Sequence, residues 1–106
     1  MKIEESIVIP FYNEEDNAEY VLKDLVNAMD KNKHNYEIIA VDNASSDNTA
    51  NIIKDLSKKH KTIKYFYVEE KGYGNAIIEG LKQCTGNYLG YGWGDGQMSG
   101  EDVSRI

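Results

Sequence analysis

Apolar and polar positions fall into two kinds of block along the chain. Short runs rich in β-branched and aromatic residues, Ser6–Ile9, Tyr36–Val41, Ile63–Val68 and Asn87–Tyr91, predict strands. Between them, apolar residues recur every three or four positions, as on one face of a helix. Ala18, Leu22, Leu25 and Met29 mark the first such stripe, widened by Val21 and Val26. Ala50, Ile53 and Leu56 mark the second, with Ser46 or Asp47 as its cap. Ile77, Leu81 and Cys84 mark the third, which closes at Thr85-Gly86. The order β-α-β-α-β-α-β calls for parallel pairing with right-handed crossovers, because each helix must carry the chain back across the sheet. The expected fold class is therefore α/β, a mostly parallel sheet with helices on both faces. Ligands of such sheets settle beyond the carboxyl ends of the strands, where strand order reverses.

Composition narrows the picture without changing it. A chain of 106 residues, 41% hydrophobic and 28% charged, suits one soluble domain spanning residues 1–106. Its formal charge of -6 argues against nucleic acid as a partner, since phosphate-backbone binding needs clustered Lys and Arg. The basic run Lys58-Lys59-His60-Lys61 reads as a solvated helix end, and His34 and His60 as surface residues. No apolar stretch is long enough for a transmembrane segment and the amino terminus has no signal-peptide core, so a cytoplasmic protein is expected. Cys84 has no second cysteine to pair with and no metal-site spacing, which makes burial on a helix face its expected role.

The chemistry-bearing residues follow the strands. Pro10-Phe11-Tyr12-Asn13-Glu14-Glu15 ends the first strand at Pro10 and opens an acidic helix start, which alone reads as capping. Asp42-Asn43-Ala44-Ser45-Ser46-Asp47-Asn48-Thr49 carries more polar groups than one cap needs, and Asp42 stands where it could accept a hydrogen bond from a base or a ribose hydroxyl. Lys71-Gly72-Tyr73-Gly74 offers two glycines and a cation beside a helix amino terminus, as a phosphate-binding turn does, though a plain turn fits as well. Gly90-Tyr91-Gly92-Trp93-Gly94-Asp95-Gly96-Gln97 strips one face of the chain of side chains and presents Asp95, whose carboxylate suits Mg²⁺ or Mn²⁺.

Together these words, with Ile7-Val8-Ile9-Pro10-Phe11-Tyr12-Asn13-Glu14-Glu15 at the front and Thr85-Gly86-Asn87-Tyr88 before the last, resemble the amino-terminal half of a family 2 glycosyltransferase. That group includes dolichyl-phosphate mannose synthases and bacterial polysaccharide transferases. The resemblance implies a Rossmann-like GT-A nucleotide-sugar-binding domain, here truncated, whose donor is a nucleoside-diphosphate sugar and whose reaction inverts the anomeric centre. It implies nucleotide-binding roles for Pro10, Tyr12, Asn13, Glu14, Asp42, Asn43, Ser45, Lys71, Gly72 and Gly74. It implies a metal role for Asp95 as the second aspartate of D-x-D.

Trp93 stands where the family has the first aspartate of that motif, which weakens the expected metal site. The catalytic base is expected beyond Ile106, so the chain alone is expected to bind donor without transferring sugar. A degenerate nucleotide-binding module of the same fold is the alternative, and a plain doubly wound domain a weaker one. A homodimer, and peripheral membrane association of a longer form, are further expectations.

Overall fold

A computed structural model describes residues 3–31, 35–86 and 88–91. Seven elements alternate: β1 (Glu5–Phe11), α1 (Ala18–Asp30), β2 (Tyr36–Asp42), α2 (Thr49–Lys59), β3 (Ile63–Tyr67), α3 (Tyr73–Leu81) and β4 (Tyr88–Tyr91). The strands form one sheet in the order β3-β2-β1-β4, and each neighbouring pair is parallel. The chain steps outward from β1 to β2 to β3, and α3 then carries it back to the far side of β1, where the order reverses. Register runs from Glu5↔Tyr36 to Phe11↔Asp42, so β1 and β2 end level. Tyr12 and Asn43, the next residues of each, leave the sheet side by side.

Strand alternation divides the core between two faces. Ile7, Ile9, Phe11, Ile38, Ala40 and Ile63 meet Leu22, Leu25 and Met29 of α1 and Ile53 and Leu56 of α2. Val8, Ile39 and Val41 face the other way, against Ala76 of α3 and Val68. Because β2 is covered on both sides, all its residues are buried, which explains the apolar run Ile38–Val41 between Glu37 and Asp42. Helix α3 lies close upon the sheet at Gly80, where an added Cβ would stand 2.5 Å from Val8 Cγ1 and 2.9 Å from Val41 Cγ2.

Element boundaries differ from expectation by one residue at the start of β1 and the ends of β2 and β3, and by more at the end of β1 and of α3. Pro10 does not end β1, which continues to Phe11. The Phe11 carbonyl accepts the Asn43 N–H at 2.8 Å on the β2 side, so by alternation Pro10 turns its backbone to the β4 side. There the described pairing stops at Val8, and no ladder bond of the described strands needs a proline N–H. Helix α3 stops at Leu81 rather than running to Thr85-Gly86. Cys84 lies in the following turn, its N–H donated to the Leu81 carbonyl at 3.1 Å. Burial, with the Glu37 carboxylate nearby, raises the Cys84 thiol above its ordinary pKa and keeps it unreactive.

A buried charge fixes the turn that feeds β4. Glu37, 1% exposed in the middle of the sheet, accepts the Ser6 hydroxyl at 2.6 Å and the Thr85 N–H at 2.7 Å, and pairs with the Lys64 ammonium. Burial works to raise the Glu37 pKa, but Lys64 and these hydrogen bonds prevail and hold it at about 2. Ser6 in turn accepts the Gly86 N–H at 2.8 Å. The strand start is so tight at Gly86 that an added Cβ would lie 2.8 Å from the Glu5 carbonyl carbon.

Candidate functional site

The stretches that follow β1, β2 and β3 meet on one rim of the sheet, and the first two are stitched reciprocally. Asn13 donates its backbone N–H to Ser45 Oγ at 3.0 Å, and its side-chain oxygen accepts the Ser46 N–H at 2.8 Å. Glu14 donates to Thr49 Oγ1 at 2.9 Å and Glu15 to Asp47 Oδ2 at 3.2 Å, while Glu15 accepts the Asn48 N–H at 3.1 Å. Asp47 also accepts the Thr49 N–H at 2.9 Å, a turn that leads into α2, whose cap is Asn48 rather than Ser46 or Asp47 and makes no side-chain cap bond. These bonds hold the Asp47 carboxyl below its ordinary pKa against the opposing effect of burial. Asn13 and Ala44 adopt left-handed backbone, at φ 50 and φ 58. Polar residues that exceed the needs of a helix cap are therefore used, in large part, to bind one loop to the other.

Asp42, placed by sequence at a ligand-facing position, is 1% exposed. Its Oδ1 accepts the Ser45 N–H at 3.0 Å and its Oδ2 the Tyr65 hydroxyl at 2.9 Å. Burial, this hydrogen bond and the Asp42 charge push the Tyr65 phenol above the ordinary tyrosine range. The Lys54 ammonium sits 5.1 Å from the centre of the same ring. Tyr65 was not singled out by sequence; its only local signal was a polar-tipped aromatic residue among the buried positions of a strand.

Asn43 organises the third stretch. Its amide donates to the carbonyls of Val68 at 3.1 Å and Glu70 at 2.8 Å, and its oxygen accepts the Gly72 N–H at 2.9 Å. Gly72 has φ 132, a backbone open to glycine alone. Lys71, beside it, donates to the Tyr12 hydroxyl at 3.2 Å and lies 5.0 Å from the centre of the Tyr12 ring. Helix α3 starts immediately after, and its first-turn N–H groups have no partner within the helix.

Tyr12, Asn43, Lys71 and Gly72 line a cavity of about 250 Å³. Four residues assigned to one site by sequence thus surround one space at the carboxyl ends of the strands. Asn13 and Ser45 stitch the loops outside it. Glu14 points its carboxylate at Asn17 Nδ2, 3.2 Å away, and Pro10 is buried within β1. Gly74 is exposed, with open space around the position of a Cβ. Trp93, Asp95, the rest of residues 92–97, and His34 lie outside the described residues. A wider depression of about 490 Å³ runs along α1, lined by Glu15, Asp16, Glu19, Tyr20, Lys23, Asp24, Asn27 and Ile52. None of its lining residues comes from the β3–α3 connection, and half of them are acidic.

Residues 6–106 match the family model described as Glycosyl transferase family 2. The chain belongs to that family. Among curated proteins, it is 39% identical over 88 residues to the dolichyl N-acetyl-alpha-D-glucosaminyl phosphate 3-beta-D-2,3-diacetamido-2,3-dideoxy-beta-D-glucuronosyltransferase of Methanococcus voltae, covering 79% of this chain and 26% of that protein. It is 37% identical over 82 residues to the dolichol-phosphate mannosyltransferase of Pyrococcus furiosus, covering 77% of this chain and 23% of the other. Among solved structures, 90% of the chain superposes on 28% of the Pyrobaculum calidifontis mannosyltransferase PcManGT, in complex with GDP-Man and Mn²⁺, with TM-score 0.76 and 23% identity. S. aureus TarS 1-349 in complex with UDP-GlcNAc gives TM-score 0.74 and 26% identity over 88% of this chain and 27% of that one. The fold is thus that of the GT-A glycosyltransferases, and the chain spans less than a third of the length of these proteins.

Among the described residues no three His, Cys, Asp or Glu side chains gather where they could hold a metal ion. Asp42, the carboxylate at the end of β2, has both oxygens engaged by Ser45 and Tyr65. The described side chains therefore make no metal site by themselves. No described helix is long and apolar enough to cross a membrane.

Proposed function

We propose that this chain is the donor-binding portion of an inverting glycosyltransferase, which moves a sugar from a nucleoside diphosphate onto an acceptor hydroxyl. The observation that carries the reading is the convergence of Tyr12, Asn43, Lys71 and Gly72, from three separate connections, on one cavity beyond the strand ends. The Tyr12 ring, 37% exposed, offers a stacking face for a base. Lys71 and the first-turn N–H groups of α3 supply positive potential for the diphosphate. Asp42, buried with both oxygens engaged, supports the nucleotide side of the cleft from beneath by holding the Ser45 turn and Tyr65.

Asp95 is assigned to Mg²⁺ or Mn²⁺, which when bound would stabilise negative charge on the departing nucleoside diphosphate. Deprotonation of the acceptor belongs to a carboxylate outside residues 1–106. The unpaired Cys84 is in keeping with work in the cytoplasm.

Calorimetry with UDP- and GDP-sugars, with and without Mn²⁺, tests the reading. Micromolar to millimolar binding of one of them, strengthened by Mn²⁺ and lost in Asp95→Ala, is expected; absence of binding to both would remove the proposal. Binding indifferent to metal would favour a degenerate binding module, for which Trp93 in the D-x-D position already speaks.

A further inference from the structure

We infer that Asn43 is a positioning residue for Lys71, acting through the backbone on either side of it; the inference rests on the donor-binding reading of the cleft. When the chain leaves β3 at Tyr67 it must turn back to start α3, and its peptide groups there lose their ladder partners. Asn43 replaces them. The amide makes three of the four hydrogen bonds open to it, to the carbonyls of Val68 and Glu70 and from the N–H of Gly72. Lys71 stands between the last two of these anchors, so its Cα is tied from both sides. Asn43 is itself held, 2% exposed, with its N–H on the Phe11 carbonyl at 2.8 Å.

Only an amide satisfies this set. An aspartate would present oxygen to two carbonyl oxygens, and alanine would leave three backbone groups without partners. The long Lys71 side chain is costly to order. With its backbone anchored, it needs to settle only its own rotamers to reach Tyr12, whose hydroxyl is 3.2 Å from its ammonium. A cation fixed in advance at the mouth of the cavity is what a diphosphate would meet on arrival.

A double-mutant cycle on the whole chain separates positioning from mere support. Asn43→Ala should lower the affinity for UDP or GDP, whichever the native chain binds, roughly tenfold, as should Lys71→Ala. The pair should lose little more than either alone, and both single variants should flatten the salt dependence of binding. Independent, multiplying losses would overturn the inference.

A ligand-free measurement decides the matter even if no nucleotide binds, or if Asn43→Ala fails to fold. In the native chain the Gly72 amide should exchange slowly with solvent, and the Tyr12 ring should show a nuclear Overhauser contact to the Lys71 ε-methylene. Rapid exchange at Gly72 or a missing contact would refute the positioning role. Loss of nucleotide binding with both signals intact would sink only the donor-site proposal.

Discussion

Tyr65 donates its hydroxyl to Asp42 Oδ2 at 2.9 Å, which joins β3 to the end of β2 beneath the cleft. The bond gives a buried carboxylate one of its donors, and removing a single partner of such a pair leaves the other desolvated. Tyr65→Phe should lower stability by about 1–2 kcal/mol in urea denaturation, because Asp42 keeps Ser45 but loses the phenol. Folding raises the phenol's pKa above its unfolded value, so this contribution is complete below the ordinary tyrosine range and disappears as pH rises through the folded pKa. In a spectroscopic titration one late-ionising tyrosine should vanish from the variant.

Glu37 gives the opposite dependence on pH. Its folded pKa of about 2 lies below the ordinary 4.5, so the carboxylate contributes stability above the latter value and loses it as pH falls toward the former. The difference corresponds to up to about 3 kcal/mol. Urea midpoints of the native chain should fall steeply between those two pH values. Glu37→Gln should be less stable at neutral pH, and its midpoints should change less across the same window. Parallel acid profiles for the two would show that the Lys64 and Thr85 contacts carry no net weight.

Local patterning was enough to read the strands and helices, because β-branched runs and three- to four-residue spacings report directly on faces that must be buried. Ile7, Ile9, Val8, Ile39 and Leu22 all lie where that logic puts them. Boundaries needed tertiary knowledge: Pro10 is tolerated inside β1 because the missing N–H falls where no described strand needs it, and Cys84, expected on a helix face, is only half-buried and lies after α3 has ended. The cleft itself was legible from the rule that ligands sit beyond strand ends. Which of its polar residues face inward was not, because Ser45, Ser46 and Asp47 bond to partners some thirty positions away. Glu37 was overlooked altogether. Its signal was a charge inside a strand buried on both faces, a position that demands a partner.

The left-handed backbone at Ala44 invites a stabilising change. Alanine at φ 58 brings its Cβ against its own carbonyl, at a cost of about 1 kcal/mol that glycine avoids. Ala44→Gly should therefore leave the melting temperature unchanged or raise it, despite the greater freedom glycine gives the unfolded chain. Asn13→Ala should do the reverse, by about 1–2 kcal/mol. It leaves a Cβ at φ 50 without the polar side chain that makes this backbone tolerable for asparagine, and removes the oxygen that accepts the Ser46 N–H. Equal melting temperatures for the native chain and Asn13→Ala would mean that the stitching of the two loops is dispensable.

Gly80 sets helix propensity against packing. Within a helix, Gly→Ala ordinarily gains up to about 1 kcal/mol. Here the new methyl would stand 2.5 Å from Val8 Cγ1 and 2.9 Å from Val41 Cγ2, both fully buried, and neither neighbour has a flexible end to swing aside. Overpacking of this kind costs roughly 1–3 kcal/mol, so Gly80→Ala should destabilise the chain on balance. The diagnostic is Val8→Ala, which removes the nearer obstacle at the cost of a small cavity. In the double variant the alanine at 80 fills that space, and the two losses should sum to less than their separate values by about 1 kcal/mol or more. Strict additivity in thermal and urea denaturation would mean that α3 simply rises off the sheet, and that its close seating at Gly80 does not hold the β3–α3 connection in place.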